Sequence, residues 1–240
     1  MIRINKYLSM CGVTSRRGAE ALILEKRVTV NDELVEKLST MVEEKSDVVK
    51  VDGDIVEPVE HLVYVLLNKP TNVMTTLNDP YKRKTILNFI SDVPVRVYPV
   101  GRLDYDTEGL LLLTNDGDLA YRLSHPKYEV PKIYSAAVEG AFTEADCKKI
   151  AAGIKLEDGA MGHAKVEIVK SDKNSSRIRL TLTEGRKREV KQLCAACEHP
   201  VTRLRRVEFA GLSLHGLQYG KWRYLKPDEV DRLKKMVALK

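Results

Sequence analysis

Short apolar runs separated by polar turns dominate the chain, and this pattern predicts more strands than helices. Two continuous apolar runs, 62–67 and 110–113, are typical of strands that are buried on both faces. Alternation of apolar and polar positions predicts further strands at 133–138, 164–169, 178–182 and 207–212. Helical spacing and capping residues predict helices at 143–152, 188–197 and 227–237.

The first sixty residues follow a different pattern, with helices before strands. Helical spacing is shown by the apolar residues Ile4, Tyr7, Leu8 and Cys11. Gly12 ends this helix, and Ser15 can cap a second one. Strands are predicted at 28–30 and 48–51. The stretch 58–62 has the composition of a linker, so we expect one domain at 1–60 and another at 61–240.

Many strands with few intervening helices favour a largely antiparallel sheet over a doubly wound parallel one. The sequence therefore predicts an α+β fold, with a small helix-and-strand domain followed by a larger mixed-sheet domain. A chain of 240 residues is long enough for two such domains, each with its own core.

The charge distribution adds a candidate partner to this picture. The net charge is +6, and residues 1–27 hold six basic against two acidic side chains. Residues 28–60 hold three basic against ten acidic ones, and from 177 onward the count is sixteen basic to seven acidic. Two basic regions separated by an acidic one indicate a polyanion that is contacted in two places. No apolar run is long enough to span a membrane and no export signal is visible, so we expect a cytoplasmic protein.

Four cysteines raise the question of metal binding. Cys194 and Cys197 have C-x-x-C spacing, but the sequence has no second ligand pair to complete a zinc site. Buried thiols on an apolar helix face are the better interpretation.

The turn before the 110–113 strand holds three acidic residues, Asp104, Asp106 and Glu108. A carboxylate at the mouth of a buried strand can be desolvated and aimed, as a catalytic carboxylate requires. A glycosidase would need two carboxylates on opposite sides of the sugar, which acids sharing one turn cannot supply. This counts against a nucleoside hydrolase, and the pattern alone leaves three candidate acids.

The sequence G-R-L-D-Y-D-T-E-G-L-L-L-L-T-N-D-G, at 101–117, resembles the signature motif of RNA pseudouridine synthases of the RsuA/RluB type. The resemblance implies that Asp104 is the essential aspartate and makes Arg102 a candidate substrate contact. The segment 68–70 resembles the first motif of that family, which is largely architectural, and we assign it no chemistry.

Two further motifs strengthen the resemblance. Tyr134, in P-K-I-Y, matches the active-site tyrosine that packs against the target base. The segment 184–193, E-G-R-K-R-E-V-K-Q-L, resembles the third motif. Lys191 there matches the family's basic active-site residue, expected beside Asp104 to keep it ionised. Leu193 would lie near the pocket wall. RNA contacts are expected from the basic residues Arg186, Lys187, Arg188, Arg203, Arg205 and Arg206.

The amino-terminal segment from Arg3 to Val30 resembles the small RNA-binding domain first described in ribosomal protein S-four. In that family, basic residues around two helices bind the RNA backbone. The matching side chains in this chain are Arg3, Lys6, Arg16, Arg17 and Arg27.

Together the motifs imply an enzyme that isomerises one uridine of ribosomal RNA, with the large subunit preferred. The resemblance implies no metal, no cofactor and a monomer. Two alternatives from other classes stay open: a non-catalytic RNA-binding or ribosome-assembly factor, and a nucleoside hydrolase that would release free uracil.

Overall fold

The computed structural model describes residues 1–239, which divide into two compact units. The first unit comprises Met1–Leu62, and the second begins at Val63. Among the described residues, none of the helices is both long and apolar enough to cross a membrane.

The first unit packs two helices against short strands. Its elements are β1 (Ile2–Arg3), α1 (Ile4–Met10), α2 (Arg16–Leu24), β2 (Val28–Val30), β3 (Glu33–Leu34), β4 (Met41–Val42), β5 (Val49–Val51) and β6 (Asp54–Ile55). A four-stranded antiparallel sheet has the order β3-β2-β5-β6, and β1 pairs separately with β4. Ile4, Leu8 and Ile23 from the helices meet Val28 and Val49 in one core. Ser15 caps α2 as predicted, accepting a hydrogen bond from the Gly18 amide at 3.0 Å.

The second unit is built on one large sheet with helices beside it. Its strands are β7 (Tyr64–Lys69), β8 (Tyr98–Pro99), β9 (Glu108–Thr114), β10 (Lys132–Glu139), β11 (Ile154–Lys155), β12 (Met161–Gly162), β13 (Lys165–Ser171), β14 (Ser175–Leu182), β15 (Val201–Phe209), β16 (Leu212–Ser213) and β17 (Trp222–Tyr224). Its helices are α3 (Gly117–Ser124), α4 (Glu144–Ala152), α5 (Glu189–Ala195) and α6 (Pro227–Met236), with 3₁₀ turns at Ile86–Phe89 and Pro126–Tyr128.

The nine-stranded sheet has the order β13-β14-β10-β15-β9-β7-β17, with β16 paired to β15 and β8 paired to β9. Every named pair is antiparallel except β15 with β9. The predicted α+β class with a largely antiparallel mixed sheet is confirmed.

The leucine run of β9 is apolar throughout because both faces of the sheet are covered. Leu110 and Leu112 point into one core with α3 and α6, whereas Leu111 and Leu113 point into a second core on the opposite face. A third core lies at the other end of the sheet, between α4, α5 and strands β10 and β14. Leu103, which precedes Asp104, belongs to the second core, and Tyr134 packs against both the second and the third core.

The predicted strand at 207–212 is wrong in its boundaries. β15 begins earlier, at Val201, and ends at Phe209, and β16 returns beside it. Ala210 and Gly211 both have positive φ, of 52° and 75°, and form the tight turn between the two strands. The apolar alternation continues across this turn, which is why the pattern alone did not reveal it.

Candidate active site

The segment between Leu103 and Thr107 forms a tight turn directly before β9. The Asp104 carbonyl accepts a hydrogen bond from the Thr107 amide at 3.1 Å. Tyr105 and Asp106 are exposed, whereas Asp104 is half-buried. The turn therefore presents Asp104 between the sheet and solvent.

The chain after β7 fixes the backbone of this turn. Each of the five carbonyls from Leu103 to Thr107 accepts a hydrogen bond from the segment 69–75. The donors are Thr75 Oγ1 to Leu103 at 2.6 Å, Lys69 Nζ to Asp104 at 3.2 Å, the Val73 amide to Tyr105 at 3.3 Å, Thr71 Oγ1 to Asp106 at 3.3 Å and Lys69 Nζ to Thr107 at 2.8 Å. A backbone held at every peptide sets the direction of its side chains, as a preorganised site requires.

Lys69 is the centre of this arrangement and was missed as a functional residue. Its side chain is fully buried, and its ammonium donates a third hydrogen bond to the Pro70 carbonyl at 2.9 Å. Burial lowers the pKa of Lys69 to about 8, although the nearby carboxylates of Asp106 and Asp104 oppose that shift. A lysine as the last residue of a buried strand was the signal in the sequence.

The three acids of the motif have different environments. Asp106 forms an ion pair with Lys191 at 2.5 Å. Glu108 is not in the turn, as the sequence suggested, but is the buried first residue of β9 and pairs with Arg203 at 2.6 Å. The Asp104 carboxylate forms no hydrogen bond or ion pair with any residue of the described chain. Asp104 is thus the acid whose carboxylate is unengaged.

The partner of Lys191 differs from the expectation. The resemblance placed this lysine beside Asp104, but its ammonium binds Asp106 at the exposed tip of the turn. Burial raises the pKa of Asp106, and the hydrogen bond and charge of Lys191 outweigh it, so the pKa ends below its ordinary value. Lys191 therefore acts on the turn through Asp106 in this structure.

Asp104 lines a small cleft with other candidates from the sequence. The cleft has a volume of about 70 Å³, and its lining includes Arg102, Tyr134, Arg186 and Arg188. Tyr134 projects from β10 and packs against two of the hydrophobic cores, one of which contains Leu103. The turn, β10 and the start of α5 thus converge on one cleft.

The three arginines of the cleft differ in whether a protein carboxylate already binds them. Arg102 and Arg188 are exposed. Arg186 is bound by Glu184 at 2.7 Å and by Asp158 at 3.3 Å, and its amide donates to the Glu189 carboxylate at 3.0 Å. Burial raises the pKa of Glu189. Arg102 and Arg188 are therefore the cations that a phosphate can reach without displacing a protein carboxylate.

Leu193, expected near the pocket wall, and Arg206, expected to contact RNA, are core residues instead. Leu193 is fully buried among the apolar residues behind α5 and does not line the cleft. Arg206 is also buried, and its Nε donates to the Leu110 carbonyl at 2.8 Å. Its guanidinium lies 4.9 Å from the centre of the Phe209 ring. The alternating pattern of β15 turns Arg206 inward, a direction that charge counting cannot detect.

The basic residues of the first unit are mostly accessible. Arg3, Arg16 and Arg17 are exposed, and Lys6 is half-buried. Arg27 is also exposed, but Asp52 binds it through two hydrogen bonds of 2.6 and 2.8 Å and Glu25 through one of 3.0 Å. A phosphate at Arg27 would therefore have to compete with two carboxylates.

The cysteines of the C-x-x-C pair are buried, as predicted. Cys194 and Cys197 belong to the same core as Cys147, and burial raises the pKa of each thiol. In the part of the chain that the structure describes, no group of three or more His, Cys, Asp or Glu side chains could hold a metal ion.

Comparison with known proteins shows the family to which the chain belongs. A family model described as RNA pseudouridylate synthase matches residues 63–196, and an S4 domain model matches residues 2–49. An uncharacterized RNA pseudouridine synthase of Aquifex aeolicus (strain VF5) is 48% identical over 240 residues, spanning 100% of this chain and 96% of that protein. Ribosomal large subunit pseudouridine synthase B of Bacillus subtilis (strain 168) is 45% identical, with 98% and 96% covered.

A solved structure supports the same assignment. A crystal structure of pseudouridylate synthase matches with a TM-score of 0.71 and 28% identity, over 97% of this chain and 100% of that one. The chain therefore belongs to the RNA pseudouridylate synthase family. It is an RNA pseudouridine synthase with an amino-terminal S4 domain, and the predicted RsuA/RluB-type relationship is confirmed.

Proposed function

We propose that this enzyme converts a uridine of ribosomal RNA to pseudouridine, with Asp104 as the catalytic carboxylate. One observation carries the assignment of the residue. Asp106 and Glu108 are occupied by Lys191 and Arg203, whereas the Asp104 carboxylate is unengaged in a cleft beside Tyr134. Of the three acids, it alone can approach a substrate without first breaking an ion pair.

The reaction needs only a positioned carboxylate. The bond between N1 of uracil and C1′ of ribose breaks, the base turns, and a bond forms between C5 and C1′. The proton leaves C5 and N1 gains one, so no atom is added overall and no redox partner is consumed. Asp104 serves either as a nucleophile that adds to the nucleotide or as a charge that stabilises the anomeric carbon. Its fixed turn holds the carboxylate in place for either role.

The remaining groups of the cleft have binding roles. The target uridine must leave its stack to reach Asp104, which costs a few kcal/mol. Packing against the ring of Tyr134 returns about 1–3 kcal/mol of that cost. Arg102 and Arg188 supply exposed cations for the adjoining phosphates. Arg186 adds a contact once a phosphate replaces its carboxylate partners, Glu184 and Asp158.

The first unit provides a second RNA contact in this proposal. Arg16 and Arg17 lie in the first turn of α2, and this turn contains no acidic residue. The helix dipole favours anions at this end, so two arginines there contribute little to helix stability and are suited to bind phosphate. Arg3 and Lys6 belong to the same proposed contact, while Arg27 contributes less because Asp52 and Glu25 bind it.

We assign the substrate to the large ribosomal subunit because a relative covered almost end to end is named a ribosomal large subunit pseudouridine synthase. We propose that the enzyme acts in the cytoplasm, because ribosomal RNA is its proposed substrate, and that it acts as a monomer.

The test uses transcripts of both ribosomal RNAs and maps pseudouridine by chemical labelling and primer extension. One new site in large-subunit RNA with the wild type, and none with Asp104→Asn, is expected. Asp231→Asn is the matched control, because Asp231 is an exposed carboxylate in α6. Release of free uracil would identify a hydrolase instead. RNA binding without modification, on naked RNA and on assembling subunits alike, would identify a binding factor.

A further inference from the structure

A groove much larger than the Asp104 cleft lies next to it. The groove has a volume of about 750 Å³, within the range of about 300–1,000 Å³ that is usual for ligand sites. Its lining includes Thr71, Asp106, Lys191, Arg203, Arg205 and Tyr219, and we call it the β15 groove. Leu204 lines both the β15 groove and the cleft, so the two spaces share a wall.

Sheet topology explains why the β15 groove exists. β15 and β9 pair in parallel over only two positions, Arg205 with Glu108 and Arg206 with Gly109. Before that point the chain of β9 has turned away into the Asp104 turn, while β15 continues back to Val201 beside β10. The gap between the diverging chains is a notch in the sheet, directly beside the proposed catalytic turn.

The charges of the β15 groove favour an anionic ligand. Two of its cations, Lys191 and Arg203, are paired with Asp106 and Glu108. The third, Arg205, has no carboxylate partner among the described residues, and its Nε is buried without a hydrogen-bond partner. Arg205 is half-buried and lines the groove, so the charge of its guanidinium is left for a ligand phosphate rather than neutralised by a protein carboxylate.

The mouth of the β15 groove carries an aromatic ring in a fixed position. The Tyr219 hydroxyl accepts a hydrogen bond from the Thr71 amide at 2.8 Å, while 51% of the residue stays exposed. Thr71 in turn binds the Asp106 carbonyl. Hydrogen bonds through Thr71 therefore link Tyr219 to the proposed catalytic turn, while its ring stays exposed to solvent. Unpaired RNA bases bind by stacking on such rings.

We propose that the β15 groove binds the nucleotide next to the target uridine, with its base stacked on Tyr219 and its phosphate at Arg205. This inference rests on the proposed function, since it concerns the same RNA substrate. An exposed ring, a guanidinium without a carboxylate partner and a wall shared with the cleft fit one flanking nucleotide of a splayed strand. The site would thereby help to choose which uridine enters the cleft.

The experiment uses a stem-loop RNA spanning the mapped uridine, in intact form and with an abasic nucleotide on either side of it. For the wild type, one abasic position should weaken binding by about tenfold. Tyr219→Ala should bind the intact RNA about tenfold more weakly and lose all sensitivity to that abasic position. Tyr121→Ala, which removes an exposed tyrosine of α3, should match the wild type.

Tyr219→Phe separates stacking from support of the turn. It keeps the ring and removes the bond to Thr71, so it should bind and discriminate like the wild type. The proposal is overturned if neither abasic position weakens RNA binding by the wild type. It is also overturned if Tyr219→Ala loses as much affinity on the abasic RNA as the wild type does, so that the two losses add. A third contrary result is Tyr219→Phe that binds and discriminates like Tyr219→Ala. Failure of the proposed function is distinguishable, because the wild type would then form no pseudouridine in intact RNA.

Discussion

Lys69 Nζ and the Thr107 carbonyl oxygen lie 2.8 Å apart, and this hydrogen bond joins the end of β7 to the end of the proposed catalytic turn. The same ammonium also binds the carbonyls of Asp104 and Pro70. The turn is therefore attached to a strand that is buried at every position. Five carbonyls held by one neighbouring segment make Asp104 a preorganised group, which a flexible acidic loop could not be.

Lys69→Met should damage catalysis more than binding. The variant leaves two carbonyls of the Asp104 turn without their buried donor, which costs about 1–3 kcal/mol of stability. We expect kcat to fall by about tenfold or more, with a smaller change in the Kd for RNA. Single-turnover kinetics on the mapped RNA measures both.

Lys132→Met is the matched control for Lys69→Met. Lys132 is also buried, and its ammonium binds the carbonyls of Val130 and Thr183, outside the Asp104 turn. It should lose similar stability with a smaller loss of kcat. Equal losses of kcat in the two variants would refute a specific role of Lys69 in the turn.

The titration of Lys69 should make the wild type gain stability above pH 8. Its pKa falls from 10.5 to about 8 on folding because the side chain is buried. Between these values the unfolded chain holds a proton that the folded chain has released, so the free energy of unfolding rises with pH. The wild type should gain about 1 kcal/mol over Lys69→Met between about pH 7 and about pH 9. Urea unfolding at both pH values measures this, and a constant difference would contradict it.

Gly109→Ala should unfold the junction between β9 and β15. Gly109 has φ of 110°, and a Cβ there would lie 2.2 Å from the Arg206 carbonyl oxygen and 2.9 Å from its amide nitrogen. Neither backbone atom can move without breaking the parallel pairing. We expect a loss of about 2–5 kcal/mol in the free energy of unfolding.

Gly211→Ala provides the comparison for Gly109→Ala. Gly211 also has positive φ, of 75°, but a Cβ there would meet nothing within 4 Å. Only the cost of the left-handed conformation applies, about 1–2 kcal/mol. Thermal unfolding of both variants measures the difference, and a loss at Gly109 no larger than that at Gly211 would show that the close contact does not matter.

Arg16→Ala with Arg17→Ala should weaken RNA binding and its dependence on salt. Each lost phosphate contact lowers the slope of log K against log salt by about 0.7–0.9. Arg232→Ala with Lys235→Ala removes the same charge from the exposed face of α6 and should leave the slope unchanged. Fluorescence anisotropy across a salt series measures both. Equal slopes in the two double variants would remove α2 from the RNA contact.

Much of the fold followed from local pattern. The run of Leu110 to Leu113 predicted a strand buried on both faces, because only a covered sheet accepts four consecutive leucines. The strand end at Phe209 was not predicted, because a turn built on Ala210 and Gly211 depends on backbone angles that an apolar pattern does not report.

The site was predictable where a motif fixes a residue and less so where partners come from distant segments. The motif resemblance singled out Asp104 and Tyr134, which the structure brings to one cleft. The pairing of Lys191 with Asp106 joins residues 85 positions apart, so only tertiary structure could show it. Lys69 could be noticed in the sequence as a lysine at the end of a buried strand, but its partners are backbone carbonyls of another segment, which only tertiary structure could show.

Pseudouridine formation in ribosomal RNA by the wild type, Asp104→Asn and Asp231→Asn tests most directly whether Asp104 is the catalytic carboxylate. One modified position in large-subunit RNA is expected for the wild type and for Asp231→Asn. Asp104→Asn should modify RNA at a rate below about one thousandth of the wild-type rate, with RNA binding nearly intact. Modification by Asp104→Asn at the wild-type rate would show that Asp104 is not the catalytic carboxylate.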